Sequence, residues 1–387
     1  MSVTAPSGFV AAGVACGIKA SGDLDLALVA TADGHPVPAA AVFTANRATA
    51  APVQVSRAHL EVGGGQACAV VLNSGNANAA TGEPGREDAE RTCALVADEL
   101  GCRAHNVLVC STGLIGIPLP MEPLLAGIPV VARSLRAEGG VDAAAAILTT
   151  DTVRKEVVVD GGGFTVGGMA KGAAMLAPDM ATMLAVLTTD AAAPEEGLVE
   201  LLRAAVDRSF NALSIDGCTS TNDTVILLAG GAAGPVDPDA LAAAVAEACT
   251  SLAAQMAGDA EGATKVVTIE VVGAASDEEA SRAARRVAES QLCKCSWYGE
   301  DPYWGRILSE VGSAGVEFDP DRASVSYGGV TSCRRGVAAA HDANALAAVM
   351  AEREITIVVD LGLGEGRGRI LTNDLTHAYV DENMGTS

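Results

Sequence analysis

Short runs rich in Val and Ile, each closed by Gly, Asn or Asp, recur along the whole chain. Ala-rich stretches of helical character separate them. This punctuation constrains the fold more than any other feature, because runs of four to eight such residues form strands only when distant parts of the chain pair with them. Strands are expected over 24–30, 67–73, 106–112, 156–160, 164–170, 182–189, 223–229, 264–273 and 354–362. Helices are expected to open at Pro84, with Gly101 as the stop, and at Pro194. Another should start at Pro238 behind an Asp237 cap, and one at Ser276, where Glu279 three residues on suggests a capping box. A weaker helical pattern follows His341. Strands and helices interleave without strict alternation, so the expected fold class is α/β of the layered α+β kind rather than a doubly wound sheet. No internal repeat is visible, and 190–197 is the most linker-like break.

Charge narrows the function. The 387 residues carry 25 Lys+Arg against 48 Asp+Glu, a formal charge of −23. That balance disfavours binding to nucleic acid and to anionic lipid. No uninterrupted apolar run of membrane-spanning length is evident, and no basic segment precedes an apolar one at the N-terminus, so a cytoplasmic protein is expected. Among the ten Cys only Cys293 and Cys295 are close, and His35, His59, His105, His341 and His377 are isolated. No metal and no cofactor is therefore expected. "STGLIG" and "LGLGEGRG" lack the lysine of a phosphate loop, and "LGLGEGRGRILTNDLT" reads as a hairpin turn.

Three polar, Gly-rich loops border strands: "LNSGNANAATGEPG", "CSTGLIGIPLP" and "SIDGCTSTNDT". Each alone is an ordinary turn. No nucleophile elbow is present, and no His stands beside a nucleophile. Acyl chemistry then needs another base. An N-terminal Thr supplies one, since its own α-amine titrates at about 7.7–8.0. "MATML" at 180–184 offers a small residue, then Thr182, then a β-like run. On these residues alone Thr182 is either a passenger of a buried strand or a nucleophile exposed by self-cleavage.

The longer stretch "GGMAKGAAMLAPDMATML" resembles the self-processing segment of the bifunctional glutamate/ornithine acetyltransferase family of arginine biosynthesis. "GIKASGDLDLALV", "AVFTANRATAAPVQVSRAHL", "VVLNSGNANAATGEPG", "STGLIG", "ILTTDT", "SIDGCTSTNDTV", "AEGATKVV", "DPYWGRIL" and "TNDLTHAYVDEN" follow in that family's order over nearly the whole chain. The resemblance implies autolysis between Ala181 and Thr182, giving an α chain of 1–181 and a β chain of 182–387. It implies Thr182 as nucleophile, Thr112 and Gly113 as oxyanion hole, and Thr149, Lys171, Thr182, Glu261, Asn383 and Ser387 as the substrate site. It further implies an αββα sandwich like that of N-terminal nucleophile hydrolases, with a smaller second α/β lobe in roughly 240–350, and an α2β2 assembly. The implied reaction carries acetyl from N-acetylornithine to glutamate by a ping-pong cycle, with Lys171 pairing a substrate carboxylate and Glu261 an ammonium. Acetyl-CoA is a candidate second donor.

The chain departs from the family pattern at Ala174, Cys218, Cys295 and Tyr303, and its "ENMGTS" tail is one residue shorter. None of these touches Thr182, Thr112, Gly113 or Lys171 in sequence, so they bear on substrate rather than mechanism. The alternatives are a paralogue acting on another amino acid or amine, a self-processing amidase in which water accepts the acyl group, and a non-catalytic relative.

Overall fold

The computed structural model describes residues 2–175, 183–193 and 196–385. The chain divides into two units, one of Met1–Asn211 with Cys218–Met256 and one of Ala212–Gly217 with Ala257–Ser387. Ala181, Thr182, Pro194 and Ser387 lie outside the described residues.

The first unit contains β1 (Phe9–Val14), β2 (Leu26–Thr31), β3 (Val37–Phe43), β4 (Gln66–Ala67), β5 (Ala69–Asn76), β6 (Val107–Leu114), β7 (Lys155–Asp160), β8 (Thr165–Lys171), β9 (Leu184–Ala192) and β10 (Thr224–Pro235). Its helices are α1 (Ala51–Val62), α2 (Gly82–Leu100), α3 (Met121–Arg133), α4 (Gly140–Ala146), α5 (Leu198–Asp207) and α6 (Pro238–Gly258). The strands form a four-stranded sheet, β1-β2-β5-β6, and a six-stranded sheet, β4-β3-β10-β9-β8-β7.

Side-chain alternation along the strands builds the layers. In β2, Ala27 and Val29 join a core shared with Leu184 and Val186 of β9 and Ile226 and Leu228 of β10. Leu26 and Leu28 point the other way, into a core with Cys93 and Val96 of α2 and Leu124 and Ile128 of α3. The two sheets thus pack face to face with helices outside the smaller one. On the outer face of the larger sheet, Gly168 leaves room for Leu187 and for Leu252 of α6. The buried residues of α6, among them Leu241, Val245, Ala248, Leu252 and Met256, recur at three- and four-residue spacing. This helix is long and apolar enough to cross a membrane, but half of its most apolar window is buried within the fold. Its apolar stripe is a core face, which completes an αββα sandwich.

The second unit contains β11 (Val266–Ala274), β12 (Ser324–Tyr327), β13 (Val330–Arg334), β14 (Val337–Ala338), β15 (Glu354–Asp360) and β16 (Gly366–Asn373). They form one mixed sheet, β14-β13-β12-β15-β11-β16. The helices are α7 (Asp277–Ala288), α8 (Gln291–Tyr298), α9 (Trp304–Gly312), α10 (Ala343–Ala351) and α11 (His377–Glu382). Ile269 and Val271 of β11 pack with Ala280, Ala284 and Val287 of α7 and with Trp297 of α8.

Two expectations are corrected here. The segment after β15 is not a hairpin, because β11 inserts between β15 and β16, pairing parallel with the first and antiparallel with the second. Its glycines serve a different need: a Cβ on Gly368 would sit 2.4 Å from the Ser281 amide, so β16 approaches α7 at glycine. The helix expected to open at Pro194 begins at Leu198, behind Gly197 in the left-handed region (φ +88°). The Ser276 cap is as expected, its hydroxyl accepting from Glu279 N. The Glu279 carboxylate accepts from Glu317 N instead of closing the box.

Candidate active site

Three adjacent strands of the six-stranded sheet end in one register. Lys171, the last residue of β8, is opposite Leu184, the first of β9, which is opposite Thr224, the first of β10. The residues that leave or enter these strands, Gly172, Met183 and Asp223, therefore meet at one sheet end. The end of β6 in the facing sheet is tied to the same place by Asn222, whose amide donates to Ser111 O at 2.9 Å and to Ala77 O at 2.6 Å. Thr112 follows Ser111 directly.

Lys171 is the hub. Its ammonium donates to Thr149 Oγ1 at 2.7 Å and to Thr112 Oγ1 at 3.3 Å, and it lies 3.7 Å from Asp151 Oδ2. Asp151 also takes Lys155 Nζ at 2.7 Å, Gly172 N at 2.7 Å and Thr149 N at 3.2 Å. All three charged side chains are buried. Burial alone would raise the Asp151 pKa, but Lys171, Lys155 and the hydrogen bonds outweigh it and hold the carboxyl down at about 2. The result is a fixed positive group beside Thr112 and Thr149. Each hydroxyl accepts from Lys171, so each keeps its own proton to donate elsewhere.

Gly113 has φ +129°, and a Cβ there would lie 2.4 Å from the Gly75 carbonyl carbon. The strand pair β5–β6 is irregular at that point, between Gly75 and Asn76. Only glycine permits both the backbone conformation and the close approach.

Asp223 is the other buried acid of this sheet end. Its Oδ1 accepts from Met183 N at 2.8 Å, while Thr224 N donates to Met183 O at 3.2 Å. Its Oδ2 has no hydrogen-bond partner among the described residues. Burial raises its pKa well above the usual carboxylate range, against the opposing pull of Met183 N–H and Lys171.

In the second unit, Glu261 Oε2 accepts from Asn383 Nδ2 at 2.8 Å, which brings those two expected residues together. Glu261 borders a cavity of about 170 Å³ with Asp216, Lys294, Asn373 and Tyr379 on its wall. Lys294 donates to Thr372 Oγ1 and Asn373 O, and burial lowers its pKa to about 8.

Thr112, Thr149 and Lys171 thus meet within the first unit, and Glu261 and Asn383 within the second. Asp151, Lys155 and Asp223 were not singled out by sequence reasoning, although "ILTTDT" and "TSTNDT" contain two of them. Among the departures, Ala174 lies outside the positive-φ region, which Met175 occupies instead (φ +52°). Cys218 and Cys295 are exposed. The Tyr303 ring lies under the Arg306 guanidinium at 5.3 Å.

A family model described as the ArgJ family matches residues 10–385. The arginine biosynthesis bifunctional protein ArgJ of Thermobifida fusca is 50% identical over 388 residues, covering 100% of both chains. That of Streptomyces coelicolor is 50% identical over 389 residues, again covering 100% of both. That of Mycobacterium tuberculosis strain H37Rv is 50% identical over 395 residues, covering 100% of this chain and 96% of its own. A solved chain of the Bacillus halodurans ArgJ is 34% identical, covers 51% of this chain and 95% of its own, and superposes with a TM-score of 0.49.

Proposed function

This chain belongs to the ArgJ family and is an acyltransferase of arginine biosynthesis, and on that premise we propose that Thr182 carries the acetyl group between N-acetylornithine and glutamate. Self-cleavage comes first. Thr182 Oγ attacks the Ala181 carbonyl, the peptide becomes an ester, and water releases a chain that begins with Thr182. In transfer, the freed α-amine takes the hydroxyl proton as Oγ attacks the acetyl carbonyl of N-acetylornithine. Ornithine leaves, glutamate's amine attacks the acetyl ester, and N-acetylglutamate departs.

The observation that supports this reading is the register of β8, β9 and β10, which sets Lys171 and Asp223 beside the residue that follows Thr182. Thr112 hydroxyl and Gly113 N–H are the donors for the tetrahedral oxyanion. Lys171 polarises Thr112 and Thr149 through the two hydrogen bonds it donates. Donors fixed before reaction are worth about 2.7–4 kcal/mol each in comparable sites. Glu261, Asn383 and Ser387 are carried over from the family resemblance as substrate-binding residues, with Glu261 taking an ammonium group. The α and β chains assemble as α2β2 in the cytoplasm, and acetyl-CoA is a candidate second acetyl donor.

Mass spectrometry of the purified protein tests the proposal. Two fragments split between Ala181 and Thr182 are expected, with the β chain gaining one acetyl group on incubation with N-acetylornithine. Thr182→Ala should give one uncleaved chain without transfer activity. A wild-type protein that never cleaves refutes the reading. Free acetate released under saturating glutamate would mark an amidase instead.

A further inference from the structure

The loop between β1 and β2 brings a third lysine to this end of the first unit. Asp25, the residue before β2, takes Ser74 N of β5 on its carbonyl at 2.9 Å. Its buried carboxylate gathers the loop that precedes it. Cys16 N donates to Oδ1 at 2.6 Å, and Gly17 N, Ile18 N and Lys19 N donate to Oδ2 at 3.0, 2.6 and 3.0 Å. Ile18 and Lys19 are thereby laid over Gly75, where a Cβ would meet Ile18 Cγ2 and Lys19 Cγ, each at 3.2 Å. Gly75 in turn is paired with Gly113. The stem of Lys19 therefore crosses the sheet end one glycine away from Gly113.

Lys19 is half-buried, donates one N–H to Leu24 O at 2.8 Å, and is close enough to Lys171 and Asp151 to feel both charges. Burial lowers the pKa of its ammonium and Lys171 adds to that, while Asp25, Asp23 and Asp151 oppose it. The Asp25 carboxylate is already bonded to four amides, and Asp151 is shared by two other lysines. An ammonium has three N–H groups, so Lys19 keeps donors for an incoming anion.

The two substrates decide which anion that is. The side chain of N-acetylornithine ends in an ammonium, and that of glutamate ends in a carboxylate. A cation fixed beside the side chain would repel one and attract the other. It favours both only at the α-carboxylate, which they share and which sits on the carbon bearing the reacting nitrogen. We propose that Lys19 binds this α-carboxylate in both half-reactions and so places the reacting nitrogen against the Thr112 and Gly113 donors. The inference rests on acetyl transfer taking place at this sheet end. Lys171 then polarises the donors, and Lys19 orients the substrate.

The test measures acetyl transfer from N-acetylornithine to glutamate in Lys19→Met, whose stem still covers Gly75. KM should rise at least about tenfold for both substrates, with kcat at saturation within about threefold of wild type. Lys19→Arg should keep both KM values near those of wild type. N-acetylputrescine, the donor without its carboxylate, should inhibit wild type and Lys19→Met equally as a competitor. Unchanged KM values overturn the proposal. So does a rise for glutamate alone, which would mark its side-chain carboxylate, or a fall in kcat at fixed KM, which would mark a role in the oxyanion hole. Inhibition by N-acetylputrescine that weakens as much as KM rises overturns it too, because the pocket as a whole is then damaged. Should Lys19→Met fail to fold, Lys19→Gln, which keeps a donor for Leu24 O, is read in the same way. Active wild type with insensitive Lys19 variants sinks this inference alone. A wild type without transfer activity sinks the acetyl-transfer reading and this inference with it.

Discussion

At the scale of single residues, the site depends on charges that offset one another out of water. Lys171, Lys155 and Asp151 are all buried, and two cations share one carboxylate. Removing Asp151 strands two buried cations, at about 3–5 kcal/mol, whereas removing Lys171 leaves the Asp151–Lys155 pair and takes away a buried donor to Thr112 and Thr149, at about 1–3 kcal/mol. Lys171→Ala should therefore do two things: lower the urea midpoint, and reduce kcat by about a hundredfold or more as Thr112 loses its polarising partner. A variant that loses stability but keeps kcat per folded molecule would remove Lys171 from the chemistry. Asp151 makes the fold acid-sensitive in a defined window. Its folded pKa of about 2 lies below the usual 3.8, so the unfolded chain binds its proton first as pH falls. The contribution is complete above about pH 5, declines as pH passes through about 4 toward 2, and amounts to about 2 kcal/mol. Urea melts over that range should show this slope in wild type and lose it in Asp151→Asn. The sequence offered Lys171 through a resemblance but hid Asp151, because only the fold brings these positions together.

At the scale of elements, local signals worked where a side chain closes its own turn. Ser276 caps α7 through Glu279 N, and Ser276→Ala should cost about 1 kcal/mol, measured by chemical denaturation. The Val- and Ile-rich runs all overlap observed strands where they are described. Among the strands missed, β1 with "FVAAGV" and β3 with "VPAAAVF" are rich in Ala and carry little intrinsic β-preference. They are strands because Phe9, Ala11 and Ala39 fill a narrow space between two sheets. The β11 insertion between β15 and β16 was equally invisible, since a hairpin and a split pair have the same local pattern.

At the scale of the whole molecule, 48 acidic against 25 basic side chains set up self-repulsion that salt screens. Raising NaCl from low to high concentration should raise the melting temperature, and a scanning-fluorimetry series that shows no rise would mean the surface charges are already balanced locally. The sequence by itself determined the mixed α/β class and membership of an acetyltransferase family through ordered motifs. It could do so because hydrophobic period and motif order are properties of the chain read in one dimension. Only the tertiary structure decided that Lys171 reaches Thr112 and Thr149, that Asp151 is shared between two lysines, and that Asp223 holds the residue after Thr182. Those contacts follow from strand register across two sheets, and register is fixed by which side chains fill the core between them.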